Sequence, residues 1–286
     1  MTDIFEEIVR LRSQGIPAAL ATIVETKGST PGRATMRLLV REDGTFLGTV
    51  GGGCLEAEVY ESAKRVIREE KPETLSFKLT EFDSPDNGLL CGGVVTIFVE
   101  PLVTPNLMVF GGGHISRVLC QVATLAGFRV EILEDREEFC TEARFPEAAA
   151  FHVGDMRTLG RDLALGPGSY VVIVTRGHKG DGEVLAGLWE QKAEPRYLGM
   201  IGSRTKKKVL FDKLRADPGV SEDWLASIKT PVGLAIGARS HEEIAISIVA
   251  EMIRVRRADQ IRPRDRDRIP KGLSEIDPAH APGGPA

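Results

Sequence analysis

The stretch that decides the fold reads Leu107-Met108-Val109-Phe110-Gly111-Gly112-Gly113-His114-Ile115-Ser116. Its four apolar residues predict a short buried strand, and the glycines that follow allow a tight turn and a close approach of a ligand to the backbone. A helix is predicted next, because apolar residues recur at helical spacing from 118 to 125 and Gly127 ends the pattern. Residues 128–133 then form a second apolar strand that runs into Glu134-Asp135-Arg136.

This order of strand, turn, helix, strand and acid fits a dinucleotide-binding βαβ unit, in which the acid lies about 20 residues past the glycines. In such a unit the helix N-terminus receives a phosphate group. Ser116 stands where the fingerprint has its third glycine, which normally serves close packing of the helix on the strand. We therefore predict a Rossmann-like doubly wound parallel sheet. Whether a nucleotide occupies it is a separate question that these residues leave open.

Further alternation of strands and helices supports the doubly wound sheet, with strands predicted at 149–153, 170–175 and 197–201. Ligands of such sheets lie outside the carboxyl ends of the strands, so the loops after the last two should face the same crevice as the glycines. These loops carry His178 and Gly202-Ser203-Arg204. His178 is either a crevice residue or an ordinary polar loop residue. Arg204 is the better phosphate candidate, and the lysines at 206–208 are expected to be mostly solvated.

The start of the last helix is predicted from a capping box, Ser240-His241-Glu242-Glu243. Arg239 comes directly before it and is a plausible last approach to the crevice. After Arg262 the chain has mixed charges and low hydrophobicity, followed by several prolines and glycines, which predicts a disordered tail.

The first 104 residues predict a small α/β domain around Gly48-Thr49-Val50-Gly51-Gly52-Gly53-Cys54-Leu55-Glu56. A hairpin with a turn at Asp43-Gly44 delivers the chain to the glycines, and a helix is predicted to begin near Cys54. A helix start offers unpaired N–H donors and a partial positive charge, which suit an anion and favour a thiolate. Taken alone, the stretch is either such a ligand loop or a strand-to-helix turn with a buried free cysteine.

Two other segments of the first half carry similar residue types. Lys27-Gly28-Ser29-Thr30-Pro31-Gly32-Arg33 is a turn-forming loop with two cations and two hydroxyls, and it is either a ligand loop or a solvated one. Cys91-Gly92-Gly93 again places a cysteine beside glycines. A proline-flanked linker from Pro101 to Pro105 puts the domain boundary near residue 104.

Composition limits the classes of function. Of 286 residues, 42% are hydrophobic and 27% charged, as in an ordinary soluble protein of two domains. A formal net charge of −4 gives no electrostatic support for a nucleic acid or an acidic membrane surface as partner. No apolar run approaches the roughly 20 residues of a membrane span, and a signal peptide is not indicated, so a cytoplasmic location is expected. The 4 cysteines lack the spacing of a zinc finger or a disulfide framework.

In combination, these motifs resemble the xanthine dehydrogenase accessory family of the XdhC/CoxI type. The motifs that carry the resemblance are Gly28-Ser29-Thr30-Pro31, Gly51-Gly52-Gly53-Cys54-Leu55-Glu56, Cys91-Gly92-Gly93, Gly111-x-Gly113-His114-Ile115, Asp135-Arg136, Gly199-Met200-Ile201-Gly202-Ser203-Arg204 and Ile236-Gly237-Ala238-Arg239. It divides the chain into a family N-terminal domain (1–104), a Rossmann-like domain (105–258) and a disordered tail (259–286). This chain departs from the family at Gly32, where an arginine is usual, and at Thr35-Met36, where a Gly-Ala pair is usual.

The resemblance implies a molybdenum cofactor chaperone rather than an enzyme. Family members bind the cofactor, molybdopterin with its metal, and hold it while a cysteine desulfurase supplies the terminal sulfur. They then help to insert it into a xanthine dehydrogenase-type apoenzyme, and a homodimer is expected. Glycine-rich backbone suits the phosphate and the flat pterin, while a thiolate is a soft ligand for the metal side. Cys54 is the expected metal-side contact, with Cys91 second.

The candidate cofactor-binding residues form two groups. In the first domain they are Ser29, Arg33, Arg37, Gly51, Gly52, Gly53, Cys54, Glu56, Cys91, Gly92 and Gly93. In the Rossmann-like domain they are Gly111, Gly113, His114, Glu134, Asp135, Arg136, His178, Gly202, Ser203, Arg204 and Arg239. Ser29, Arg33 or Arg37 would meet the phosphate of the cofactor.

Three other functions stay open at this point. An NAD(P)-dependent oxidoreductase would use the Rossmann crevice with His178 as acid/base, although no lysine–histidine or tyrosine–lysine catalytic pair stands out. A thiol redox protein would join Cys54 and Cys91 in a reversible disulfide. A purely structural adaptor would leave both glycine-rich regions without a ligand.

Overall fold

The computed structural model describes residues 3–79, 92–163, 165–166, 168–216 and 219–258. The chain divides into two compact units, Met1–Thr104 and Pro105–Ala286. Cys91 and the tail predicted at 259–286 lie outside the described residues.

In its described residues, the first unit is an antiparallel sheet with two helices. Its elements are α1 (Ile4–Gln14), β1 (Ala18–Lys27), β2 (Arg37–Arg41), β3 (Phe46–Gly48), α2 (Gly53–Glu69), β4 (Glu73–Lys78) and β5 (Val94–Leu102). The strands are ordered β3-β2-β1-β5-β4, and every neighbouring pair is antiparallel. The core lies between α2 and the sheet, where Leu55 and Val59 pack with Ile23 and Ile97. The apolar periodicity of α2 therefore fixes which helix face meets the sheet, and the helix start stays at the end of β3.

The second unit is a parallel sheet with helices on both faces. Its elements are β6 (Asn106–Phe110), α3 (His114–Leu125), β7 (Arg129–Glu134), a 3-10 turn (Glu137–Phe139), β8 (Ala150–Val153), α4 (Met156–Asp162), β9 (Tyr170–Ile173), α5 (His178–Glu190), β10 (Tyr197–Met200), α6 (Arg204–Leu214), α7 (Glu222–Ser227) and α8 (His241–Arg256). The order β10-β9-β6-β7-β8 is that of a doubly wound sheet whose switch point lies between β6 and β9. The prediction of a Rossmann-like fold is confirmed.

Strand β6 is buried on both faces, as its continuous apolar run predicts. Leu107 and Val109 pack with α3 and α8 on one face, while Met108 and Phe110 pack with α4, α5 and α6 on the other. This alternation places the starts of α3 and α5 on opposite sides of the switch point.

The capping box at the start of α8 is also confirmed. The Ser240 hydroxyl accepts from the Glu243 amide at 3.2 Å, and the Glu243 carboxylate accepts from the Ser240 amide at 3.1 Å. Within the part of the chain that the structure describes, no helix is long and apolar enough to cross a membrane.

Candidate functional site

Three successive glycines turn the chain from β3 into α2. Their φ angles are +123° at Gly51, +77° at Gly52 and +63° at Gly53, which residues with a Cβ rarely adopt. A Cβ added at Gly51 would lie 3.0 Å from the Gly32 amide nitrogen. At Gly52 and Gly53, no heavy atom of the described residues lies within 4 Å of such a Cβ. The backbone therefore requires these glycines, and two of them leave the space above the loop open.

Cys54 lies in the first turn of α2, and its side chain is exposed. The N-cap Gly52 offers no side-chain acceptor, so the first amides of α2 have no partner among the described residues. The alternative of a buried free cysteine at this turn is wrong. An exposed thiol beside free amides at the positive end of a helix can meet an anion or a soft metal centre.

Glu56 holds this loop in place. Its carboxylate accepts from the Thr49 hydroxyl at 2.5 Å and from the Val50 amide at 3.2 Å. The Thr49 hydroxyl in turn accepts from the Gly51 amide at 3.1 Å. Glu56 therefore fixes the conformation of the backbone at residues 49–51, where the glycine loop begins.

The loop of residues 28–32 packs against both other glycine segments of this unit. On one side, Gly93 is so close to the Ser29 carbonyl that a Cβ at Gly93 would clash with it. On the other side, Gly51 packs against Pro31. The structure thus brings together Gly28-Ser29-Thr30-Pro31, the glycines at 51–53 and the pair at 92–93. Cys91, the cysteine that precedes this pair, lies outside the described residues.

Gly32 fills a position without room for a side chain. A Cβ there would lie 2.5 Å from both the Val50 carbonyl oxygen and the Ile23 Cδ1. The chain's departure from an arginine at this position therefore agrees with the way the loop packs on β1 and on the strand-to-helix turn.

The two arginines proposed for the phosphate have different surroundings. The Arg37 guanidinium lies 5.0 Å from the centre of the Phe5 ring of α1, a cation–π contact. Arg33 and Ser29 are exposed, and they belong to the loop that reaches the other glycine segments. Arg33 and Ser29 are therefore the better placed of the phosphate candidates.

Thr35 has a φ of +74° and an exposed side chain. A β-branched residue in this left-handed region carries backbone strain of about 1–2 kcal/mol. The resemblance puts the glycine of a Gly-Ala pair here, and the observed φ explains why glycine suits the position.

We expect Thr35→Gly to stabilise the first unit by about 1 kcal/mol, because relief of the strain exceeds the entropy that glycine adds to the unfolded chain. Urea unfolding followed by circular dichroism measures the change. The matched control is Thr74→Gly, an exposed threonine in β4 without a positive φ, which should destabilise instead. Destabilisation by both changes would contradict the strain.

In the glycine loop of the second unit, Gly112 is covered by its own chain, whereas a Cβ added at Gly113 would meet no heavy atom of the described residues within 4 Å. The Gly112 amide donates to the Glu134 carboxylate at 2.5 Å, and Arg144 Nε donates to the Gly112 carbonyl at 2.9 Å. Phe139 lies against Gly112, and the Arg136 guanidinium lies 3.8 Å from the centre of the Phe139 ring. Sequence reasoning missed Phe139 and Arg144, because nothing local in the chain marks residues that fold back onto a loop more than 25 positions away.

Glu134 is buried and carries the negative charge of this loop. Burial alone would raise the pKa of Glu134, but hydrogen bonds with Asp135, Arg136 and the Gly112 amide outweigh it and lower the pKa to about 2. The same contact with Glu134 raises the pKa of Asp135. Both carboxylate oxygens of Glu134 already have donors, since Arg136 Nε lies 2.9 Å from the other oxygen. Glu134 thus closes the glycine loop, whereas ribose recognition would require it to face a ligand.

The residues predicted to share one crevice lie in three cavities. A cavity of about 220 Å³ at the switch point is lined by Asp135, Thr175 and Arg176 among others, and Arg176 pairs with Asp135 at 3.1 Å. His178 lines an adjoining cavity between α5 and α6, which shares Lys179 and Glu183 with the first. Gly202 and Ser203 line a third, larger one. The prediction of one shared crevice therefore differs from what the structure shows.

Three further candidates lie at helix starts. His114, at the start of α3, is exposed and stacks on His241 of α8 with ring centres 5.3 Å apart. Arg239 is exposed, and its amide donates to Glu243 at 2.7 Å. Arg204 begins α6, directly after the N-cap Ser203.

A buried charge network near the switch point was also missed. Asp181 of α5 is fully buried, accepts from the Thr175 hydroxyl at 2.5 Å and pairs with Lys206 Nζ. The prediction that the lysine run is mostly solvated is wrong for Lys206, whose side chain is only 22% exposed. The sequence did indicate that Asp181 is buried. Asp181 shares a helix face with Val184 and Leu188, which is unusual for an unpaired acid.

Among the described residues, no group of three or more His, Cys, Asp and Glu side chains could hold a metal ion.

Comparison with known proteins places the chain among characterised and uncharacterised relatives. A family model described as the XdhC Rossmann domain matches residues 107–252, and one described as the XdhC and CoxI family matches residues 11–78. The chain is 34% identical over 256 residues to the uncharacterized protein YqeB of Escherichia coli, covering 89% of this chain and 46% of YqeB. It therefore spans less than half the length of that relative.

Two other relatives match along most of their own length. The chain is 26% identical over 292 residues to the molybdenum cofactor insertion chaperone PaoD of Escherichia coli, covering 90% of each protein. It is 21% identical over 318 residues to a Bacillus subtilis protein described as a probable subunit of xanthine dehydrogenase, covering 84% of this chain and 93% of that protein. A solved structure described as a xanthine dehydrogenase from Bacillus halodurans covers 90% of this chain and 96% of its own, with 24% identity and a TM-score of 0.48.

Proposed function

Because the chain belongs to the XdhC and CoxI family, we propose that it binds the molybdenum cofactor as cargo and serves the maturation of a xanthine dehydrogenase-type enzyme. The name of PaoD, a molybdenum cofactor insertion chaperone similar over 90% of this chain, supports the proposal. The protein itself would carry out no reaction on a substrate, and its task would be to hold and transfer the cofactor.

The observation that carries the proposal is the open glycine loop with Cys54 at its end. Gly52 and Gly53 leave room for a flat ring or a phosphate close to the backbone, and the first amides of α2 are free to donate. Cys54 offers an exposed sulfur for the metal side. Ser29 and Arg33 lie on the neighbouring loop and would bind the phosphate. The residues present therefore fit the cofactor, whose own dithiolene sulfurs hold the metal.

Transfer of the cofactor requires partners. We propose a xanthine dehydrogenase-type apoenzyme as recipient and a cysteine desulfurase as the source of the terminal sulfur, both implied by the family resemblance. A homodimer and a cytoplasmic location belong to the same proposal. In this scheme the exposed position of Cys54 lets the cofactor remain reachable by a second protein.

The rival functions have less support. NAD(P) binding would need the glycine loop of the second unit, where Glu134, Phe139 and Arg144 already cover Gly112. His178, the acid/base of that alternative, does not line the cavity at the switch point but an adjoining one between α5 and α6. A Cys54–Cys91 redox pair stays a prediction, since Cys91 lies outside the described residues, and mass spectrometry of the oxidised protein tests it.

The decisive experiment is to purify the full chain from molybdenum-replete cells and to oxidise the bound material for pterin fluorescence. We expect a fluorescent pterin that copurifies with the protein and is absent when the cells cannot make molybdopterin. Bound nucleotide without pterin would contradict the proposal and favour the oxidoreductase.

A further inference from the structure

A groove of about 770 Å³ lies in the second unit. It lies between the end of β10, the segment 228–238 and helix α8, away from the cavity at the switch point. Its volume is within the range of roughly 300–1,000 Å³ that small-molecule sites occupy. We call it the α8 groove.

One wall of the α8 groove is backbone with free donors. In this segment the Leu234 amide donates to the Ser247 carbonyl at 3.1 Å, and the Ile236 amide donates to the Leu234 carbonyl at 2.8 Å. The amides of Ala235, Gly237 and Ala238, which also line the groove, have no acceptor among the described residues. Gly237 has a φ of +77°, and such left-handed turns expose successive N–H groups to an anion.

The charged lining of the groove is mainly positive. Lys207, Lys229 and Arg254 line it, against one carboxylate, Glu251. That carboxylate is already engaged. It is buried, and accepts from the Tyr197 hydroxyl at 2.6 Å and from the Gly233 amide at 2.9 Å. Arg254 pairs with the other oxygen of Glu251 at 3.4 Å, so the positive surplus belongs to Lys207 and Lys229. This surplus favours a negatively charged ligand.

Apolar side chains make up one part of the remaining lining, beside the hydroxyl groups of Ser203, Thr230 and Ser247. Ile228, Val232, Leu234 and Ile244 line the groove, and Ile236 lies at it with 55% of its surface exposed. Free inorganic anions would gain nothing from such a wall, whereas an organic molecule would remove it from water.

From these observations we propose that the α8 groove is a binding site for a small organic phosphate. The free amides at 235–238, Lys207 and the N-terminal end of α6 at Ser203 would bind the phosphate oxygens, and the apolar wall would cover the organic part. A phosphate group suits this set of donors better than a single carboxylate, because it presents more oxygens and more charge. All the residues that line this groove belong to the second unit.

The test is calorimetric titration of the full chain with adenosine 5′-monophosphate and with flavin mononucleotide, two organic phosphates with different rings. At least one of the two should bind. Its dephosphorylated form, which lacks the phosphate, and inorganic phosphate, which lacks the organic part, should each bind at least about tenfold more weakly. Absence of binding by both phosphates would overturn the proposal, as would equal binding of the dephosphorylated form.

Variants locate the binding within the molecule. Lys207→Gln and Ile236→Asp should each weaken it about tenfold, the first by removing a positive contact and the second by adding a negative charge. Their matched controls are Lys208→Gln, the exposed neighbour in α6, and Ile246→Asp, 50% exposed on α8 and outside the groove lining. Both controls should leave the affinity unchanged. Loss of binding in Arg176→Gln, with Lys207→Gln unaffected, would move the site to the switch point and refute the proposal.

Discussion

A Cys54→Ala variant is expected to copurify with about tenfold less pterin than the unaltered chain, or with none. The thiol is exposed in the first turn of α2, beside the open space above Gly52 and Gly53, and nothing in the fold depends on it. Removal of one soft contact at a metal-containing ligand typically weakens retention by about 10- to 100-fold. Pterin fluorescence per mole of purified protein measures the loss.

The matched control is Glu58→Ala, an exposed residue one turn further along the same helix. It should keep the full amount of pterin. Equal retention by the Cys54 variant and the control would show that the thiol makes no contribution, and would refute Cys54 as the metal-side contact. Unchanged circular dichroism would show that neither variant has lost its fold.

The second large effect is expected for Lys206→Met, which removes the partner of the fully buried Asp181. Removing one member of a buried ion pair costs about 3–5 kcal/mol, because the other charge stays desolvated. Methionine keeps the length and flexibility of the lysine stem, so little packing is lost. Urea unfolding at neutral pH, followed by tryptophan fluorescence, measures the loss. Trp189 and Trp224 are the only 2 tryptophans and lie in this unit, with ring centres 5.2 Å apart.

The loss should depend on pH, with a definite sign. Burial raises the pKa of Asp181 above its ordinary value, in spite of the contacts with Lys206 and Thr175. The folded state therefore holds this proton more tightly than the unfolded state does. The stability that the neutral carboxyl gives is fully present below the unfolded value of about 3.9 and is lost as the pH rises through the folded value. The difference between the variant and the unaltered chain should thus be small near pH 4 and grow towards neutral pH.

Two comparisons make this interpretation specific. Lys208→Met, at an exposed position of the same helix, should change stability by less than about 0.5 kcal/mol. A double change, Asp181→Asn with Lys206→Met, should recover most of the loss, because no unpaired charge remains. A pH-independent loss, or a double variant as unstable as Lys206→Met, would argue that packing rather than the buried charge is responsible.

Local pattern predicted the elements well, and side-chain direction poorly. The hairpin before the glycines, the helix that begins at them and the capping box of α8 all rest on short-range rules, and each is present. Glu134 was expected to face a ligand from the end of β7, but it points back to the Gly112 amide 22 residues earlier. The direction of a side chain at a strand end depends on which distant groups need an acceptor, and periodicity carries no information about them.

The sequence by itself determined the class of each unit, the order of its elements and the family, because glycine positions, apolar spacing and capping residues act within a few positions of one another. The tertiary structure alone decided three further matters. It covered Gly112 of the second glycine loop with Glu134, Phe139 and Arg144, and it left Gly52 and Gly53 of the first open beside Cys54. It also placed His178 and Gly202-Ser203 in cavities other than the one at the switch point. These outcomes depend on contacts between residues far apart in the chain, whose hydrogen bonds and packing are settled only when the strands take their places in the sheet.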